Sequence, residues 1–124
     1  MTQASLLTLD RYLITTDRVV AGQAALEELL DLFDPDAVVQ LDDIPIRGAR
    51  AIRELYEGFV AFHAATTHYW NSTVLPDGRE RMEWVCAART ADGAVITIAG
   101  IEHATIGSDG RMVELRNAFT RRPG

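Results

Sequence analysis

Lysine is missing from this chain: all 12 basic residues are arginine. That excludes Schiff-base chemistry on a lysine and the phosphate-binding Gly-Lys-Ser/Thr loop. Cysteine occurs once, as Cys86. It has no partner for an internal disulfide, and among apolar strand residues it reads as a small hydrophobe, not a nucleophile. Histidine occurs three times, as His63, His68 and His103, without the close spacing of zinc ligands, so no metal is expected. There is no glycine fingerprint for a dinucleotide, and no cofactor is expected. Positive charge is scarce, with 12 basic against 18 acidic residues and a net charge of -6. Such a surface repels phosphate backbones, which argues against a nucleic-acid partner. No apolar run approaches the roughly 18 residues of a membrane span. The opening "MTQASLLTLDRYL" lacks a basic n-region and carries Asp10 and Arg11, so it does not read as a signal peptide. The expectation is a cytoplasmic protein without a membrane partner.

What is present suits one folded domain spanning residues 1–124: 48% hydrophobic and 24% charged residues, with no repeats or linkers. Leu6, Leu9, Leu13 and Val20, with Leu7 and Ile14 beside them, form the stripe of an amphipathic helix that Gly22 breaks. A second helix carries Leu26, Leu29, Leu30 and Phe33, and the "DPD" at 34–36 stops it. "AVVQL" (37–41) reads as a strand and "DDIPIRG" as a loop. "ARAIRELYEGFVAFH" is a third helix that buries Ile52, Leu55, Tyr56, Phe59 and Phe62. The period then changes to two. "THYWNSTVL", "ERMEWVCAART", "AVITIAGIEHATI" and "RMVELRNAFT" read as four strands, divided by short segments containing Asp-Gly, a hairpin signal. The order helix, helix, strand, helix, four strands predicts an α+β fold with an antiparallel meander.

The third of these strands places Glu102 and His103 side by side in apolar sequence. Alternation sends them to opposite faces. The segments "FDPDAVVQLDD", "IRGARAIRELYEGF" and "DGRMVELRNAF" resemble the SnoaL-like group of the nuclear transport factor 2-like superfamily, which includes relatives of ketosteroid isomerase, scytalone dehydratase and polyketide cyclases. The resemblance spans about residues 5 to 120. It implies a cone-shaped curved sheet wrapped around helices, a deep apolar pocket for a hydrophobic small molecule, and a homodimer through the outer sheet face.

Within that frame Glu102 faces the cavity with Ile98 and Gly100, while Thr97, Ala99, Ile101 and His103 face outward. A carboxylic acid in a dry pocket has a raised pKa and can donate to a substrate oxygen. The other reading pairs Glu102 with an arginine such as Arg89 or Arg116. The resemblance makes His68 a general acid or base in the cavity, with Trp70 as an aromatic wall beside it; the other reading is a half-exposed strand-end histidine. It makes Tyr12 an oxyanion donor alongside Glu102, against a tyrosine that merely packs with its hydroxyl at solvent. Asp17 supports the site from the helix end or is a surface charge. In isomerase-like members the base lies on the first strand, but here that position is Leu41. Asp42 reaches the cavity mouth only if the strand bulges. Asn117, Leu115 and Phe119 share the cavity face of the last strand. There Asn117 orients a ligand carbonyl or satisfies a buried polar neighbour. Phe59 adds to the wall. Glu83 is expected to pair with an arginine across the sheet, and His63 to complement the dipole of the third helix.

Besides a cavity filled by side chains with the dimer surface as the functional part, the resemblance leaves two readings open. One is a cofactor-independent enzyme moving protons on an apolar ring or polyketide-like carbonyl compound, as an isomerase, dehydratase or cyclase. The other is a non-catalytic ligand-binding or accessory homodimer of the same fold.

Overall fold

The computed structural model describes residues 5–122. Three helices, α1 (Thr8–Val20), α2 (Leu26–Leu30) and α3 (Ala49–Phe62), accompany six strands: β1 (Phe33–Leu41), β2 (Ile44–Arg47), β3 (His63–Val74), β4 (Glu80–Thr90), β5 (Val95–Ile106) and β6 (Met112–Arg121). All six strands form one curled, unclosed sheet in the order β2-β1-β6-β5-β4-β3. The expected α+β class and the antiparallel meander of the last four strands are present.

Three local expectations need correction. The second helix ends at Leu30, and Phe33 instead opens β1, 5% exposed in the core. Pro35 therefore lies inside a strand. It is tolerated because the β1–β6 register shifts between Phe33 and Val38, a break in the ladder that needs no donor from proline. The segment read as a loop contains β2, which pairs antiparallel with β1 around a two-residue turn, Asp42-Asp43. Asp42 adopts φ 53°, a left-handed conformation that aspartate tolerates better than most residues. Finally, β1 pairs parallel to β6, so the sheet is mixed.

The α1 stripe also shifts. Leu9 and Leu13 are buried, but Leu6 precedes the helix and is exposed, as is Ile14. Tyr12, Thr16 and Val19 complete the inner face. Along β4 the alternation is strict: Glu80, Met82, Trp84, Cys86, Ala88 and Thr90 point inward. The core of Leu9, Leu29, Val39, Ile52, Met82, Met112 and Leu115 lies among the helices and the inner sheet face.

The hairpins have a local cause. In the β3–β4 turn Asp77 Oδ1 accepts from the Arg79 N–H at 3.0 Å, and in the β5–β6 turn Asp109 Oδ1 accepts from the Arg111 N–H at 3.1 Å. Each aspartate bends the chain back onto itself, which is why Asp-Gly recurs at these points.

Carboxylates fix α1 on the sheet. Glu80, at the start of β4, accepts from the N–H groups of Thr8 (3.3 Å) and Leu9 (2.9 Å) at the helix N-terminus. Both donors lack intrahelical partners, and a carboxylate there also complements the helix dipole. Asp10 accepts from Trp70 Nε1 (2.8 Å) and Ser72 Oγ (2.5 Å) on β3. Glu80→Ala is expected to cost about 1–3 kcal/mol by leaving buried donors unpaired. Glu80→Gln, which keeps an acceptor, is expected to cost less. Urea denaturation of the two variants measures the difference.

Candidate active site

A cavity of about 200 Å³ opens between α1, α3 and the inner sheet face. Of the residues singled out from sequence, it is lined by Tyr12, Phe59, His68, Glu102, Asn117 and Phe119. Leu41, Tyr56, His63, Trp84, Ile96 and Ile98 complete much of its wall.

His68 sits on the inner face of β3, and Asp17 reaches it from α1. The His68 Nδ1–H and an Asp17 oxygen are 2.6 Å apart, the His68 backbone N–H donates to the second oxygen at 3.0 Å, and Thr66 Oγ1 donates at 2.8 Å. Burial pushes the Asp17 carboxyl up, but the hydrogen bonds from the His68 ring and backbone, the charge of that ring, and Thr66 outweigh it and hold the group below its ordinary range. The carboxylate can only accept, so it fixes the tautomer with the proton on Nδ1. Nε2 is left as the basic atom of the neutral ring.

On the opposite strand pair, Glu102 is 3% exposed and lies between Met82 and Asn117 in the ladder. No arginine pairs with it among the described residues; Arg116 belongs to the outer face, beside His103. Its Oε2 is buried without a hydrogen-bond partner. Desolvation raises its pKa to about 8, so the carboxyl is largely a proton donor at neutral pH.

Tyr12 and Tyr56 join through their hydroxyls at 2.6 Å. Both phenols are held well above their ordinary pKa, by burial first and then by neighbouring groups: for Tyr12 the Tyr56 and Glu102 charges, for Tyr56 the Glu102 charge. One hydroxyl donates to the other, which leaves a second O–H in the pair. Phe33 packs against both rings, with centroids at 6.0 and 5.7 Å.

Asn117 Oδ1 accepts from Trp84 Nε1 at 3.2 Å, and the Trp84 ring stands over Gly100. A Cβ at Gly100 would meet Asn117 Oδ1 at 2.7 Å, the Ala118 carbonyl at 2.9 Å and Trp84 Cζ2 at 2.9 Å. Glycine at this point lets the indole form the cavity wall.

Two expected site residues lie elsewhere. Trp70 shares the inner face with His68, but its indole is drawn beneath α1 by Asp10, and Trp84 takes the cavity wall instead. Asp42 turns away with the β1–β2 hairpin. It accepts from the Phe119 N–H at 3.0 Å and pairs with Arg122 on the outer side. Glu83 pairs along its own strand with Arg81 at 3.1 Å, not across the sheet, because residues two apart share a face. His63 hydrogen-bonds the end of α3 through Phe59 O at 2.8 Å. Burial pushes the Cys86 thiol up to about 11, which keeps it protonated and inert. Among the described residues no cluster of His, Cys, Asp or Glu has the make-up of a metal site.

Sequence reading passed over Tyr56 and Trp84 as site residues. Both were within reach. A buried tyrosine hydroxyl requires a partner, and strict alternation from Met82 to Cys86 places Trp84 on the inner face.

The SnoaL-like domain family matches residues 15–115, and the chain belongs to it. No protein of curated function matches the sequence. Among solved structures, an NTF2-like protein of unknown function from Exiguobacterium sp. 255-15 superposes with a TM-score of 0.83 at 24% identity, covering 93% of this chain and 99% of its own. RV0760c of Mycobacterium tuberculosis, in complex with estradiol-17β-hemisuccinate, gives 0.73 at 15% identity, covering 90% and 93%. A protein proposed to be a polyketide cyclase from Xanthomonas campestris pv. campestris gives 0.75 at 15% identity, covering 91% and 87%. At these identities the likeness establishes the fold. Among the described residues no helix is long and apolar enough to cross a membrane.

Two outcomes are expected. Gly100→Ala displaces Trp84 and breaks its bond to Asn117, at a cost of about 1–3 kcal/mol, read by thermal or urea unfolding and by tryptophan fluorescence. For Glu102, the unfolded carboxyl titrates near 4.5 and the folded one near 8. Unfolding therefore releases a proton between those values, and stability falls as pH rises through that window, by at most about 1.4 kcal/mol per pH unit. Glu102→Gln removes this term. The stability difference between wild type and variant, measured in urea from pH 5 to 8, should drift in favour of the variant. A flat difference would mean that Glu102 titrates as an ordinary carboxylate.

Proposed function

We propose that this chain is a cofactor-independent enzyme that transfers protons on an apolar ring or polyketide-like carbonyl compound, in a reaction of the isomerase, dehydratase or cyclase type. The observation that carries this reading is the pairing, in one apolar cavity, of a carboxylate-held imidazole with a protonated carboxyl and a phenol pair. His68 Nε2 takes a proton from the carbon next to the substrate carbonyl, and the C–H electrons form the enolate. Glu102 and the Tyr12–Tyr56 pair donate to the oxygen as it gains charge. Asp17 keeps the ring oriented and stabilises the imidazolium. From the enolate, return of the proton to another carbon isomerises, loss of a neighbouring hydroxyl as water dehydrates, and attack on a second carbonyl closes a ring. Trp84, Phe59 and Phe119 bind the apolar body and Asn117 borders the oxygen end. Leu41 supplies no base from β1, so the base in this chain comes from β3.

The steroid ester bound by RV0760c supports an apolar ring compound as the ligand class, and the proposed cyclase from Xanthomonas supports carbonyl chemistry. The second reading, a binding protein without turnover, is favoured by Leu41 at the place where the resemblance puts a base. Either form is proposed to act as a homodimer through the outer sheet face, where Tyr69 (67% exposed) and Val85 (51% exposed) lie.

Proton abstraction is measured directly as deuterium uptake from heavy water into tetralone and related ring ketones, followed by NMR. His68→Ala is expected to lower the rate roughly 10²–10⁴-fold. Asp17→Asn should lower it less, and Glu102→Gln should also slow it. Binding of these ketones with no uptake above the buffer rate would establish the binder.

A further inference from the structure

His63 is a polar group of the cavity that the reaction above leaves idle. It closes α3, opens β3, and is 7% exposed. Its Nδ1 lies 2.8 Å from the Phe59 carbonyl oxygen. A carbonyl only accepts, so Nδ1 carries the proton, and in the neutral ring Nε2 is a lone-pair acceptor. That Nε2 is buried with no hydrogen-bond partner. Its ring packs between Phe59 (centroids 4.2 Å apart) and Phe62 (4.8 Å), all three lining the same cavity as Glu102.

A buried acceptor without a donor is rare in folded proteins, because its lost hydration is not replaced. The position of this one is informative. In the β3–β4 and β4–β5 ladders His63 is opposite Thr90 and Glu102 is opposite Met82. Those partners stand eight residues apart on one strand. Between the two ends the wall carries Ile96, Ile98 and Trp84, with His68 standing midway, opposite Cys86. The cavity thus has a donor end, at Glu102 and the tyrosines, the base His68 midway, and a second acceptor at the far end, His63.

We propose that His63 Nε2 accepts a hydrogen bond from a ligand hydroxyl and so sets specificity. The preferred ligand is an apolar ring compound oxygenated at both ends, with a carbonyl or oxyanion at Glu102 and a hydroxyl at His63. This rests on the oxygen-binding role given to Glu102 above, and the test separates the two.

The probes are three para-linked diols of rising length, hydroquinone, biphenol and terphenyl diol, each with its mono-hydroxyl counterpart. Binding to the full chain is followed by fluorescence. At the length that spans the cavity, the second hydroxyl is expected to tighten binding roughly five- to tenfold. His63→Phe should erase that gain and change the mono-hydroxyl affinity far less. No gain at any of the three lengths, or a gain that survives His63→Phe, overturns the proposal. So does an equal loss for diol and mono-hydroxyl probes with a lowered melting temperature, which would make His63 a helix cap only. Glu102→Leu, which removes the donor and keeps an apolar side chain, reports on the other end. If it leaves all phenol binding intact while His63→Phe still erases the gain, the Glu102 reading fails and the His63 acceptor stands.

Discussion

Helix α1 is tied to the sheet by three carboxylates, and the geometry of the cavity depends on that attachment. Glu80 holds the N-terminus from β4. Asp10 and Asp17, two turns apart on one face of α1, hold Trp70, Ser72, Thr66 and His68 of β3. Hydrophobic contact would bind the helix to the sheet without fixing its position along the strand, because burial is not directional. Hydrogen bonds to charged groups are directional and about twice as strong as neutral ones. They set where Tyr12 and Asp17 stand relative to β3 and β5. The same contact that orients the imidazole therefore also anchors the helix.

Two acids in this fold show opposite consequences of burial. Asp17 is surrounded by donors, and its charge is stabilised in spite of desolvation. Glu102 is surrounded by apolar groups and phenols and keeps its proton at neutral pH. An ionised carboxylate behind His68 and a protonated carboxyl in the cavity wall thus stand close together in one fold. Their environments push them apart, which is how paired acids are assigned different tasks. A charge on Glu102 would in turn oppose ionisation of the two phenols, which burial already holds neutral.

The alternation of apolar residues and the Asp-Gly turns made the meander legible, because each signal is local: side-chain period sets the face, and an aspartate closes the turn. The same local rule placed Glu102, His68, Asn117 and Phe119 on the inner face. It could not say how far each side chain stands from the cavity. Trp70 and Trp84 are ladder partners on one face, yet Asp10 captures the first and Gly100 makes room for the second. Both selections come from residues distant in sequence. The Tyr12–Tyr56 bond joins two helices that no periodicity brings together. The start of β1 is hidden in the sequence because proline and two aspartates are normally hostile to a strand, and the register break against β6 accommodates them.

The place of β6 has a consequence for how the chain reaches this state. It follows the other five strands in sequence, yet it lies inside the sheet with β1 on one side and β5 on the other. Until Met112–Arg121 have left the ribosome, β1 and β2 have no sheet to join, and β5 offers an open edge. The β1–β6 pairing joins residues 76 to 79 apart in sequence, so its loop-closure entropy is met late. The nascent protein therefore passes through a stage with an unprotected strand edge and an open apolar trough. That stage is an exposure to aggregation and to chaperones, one that the finished molecule no longer shows.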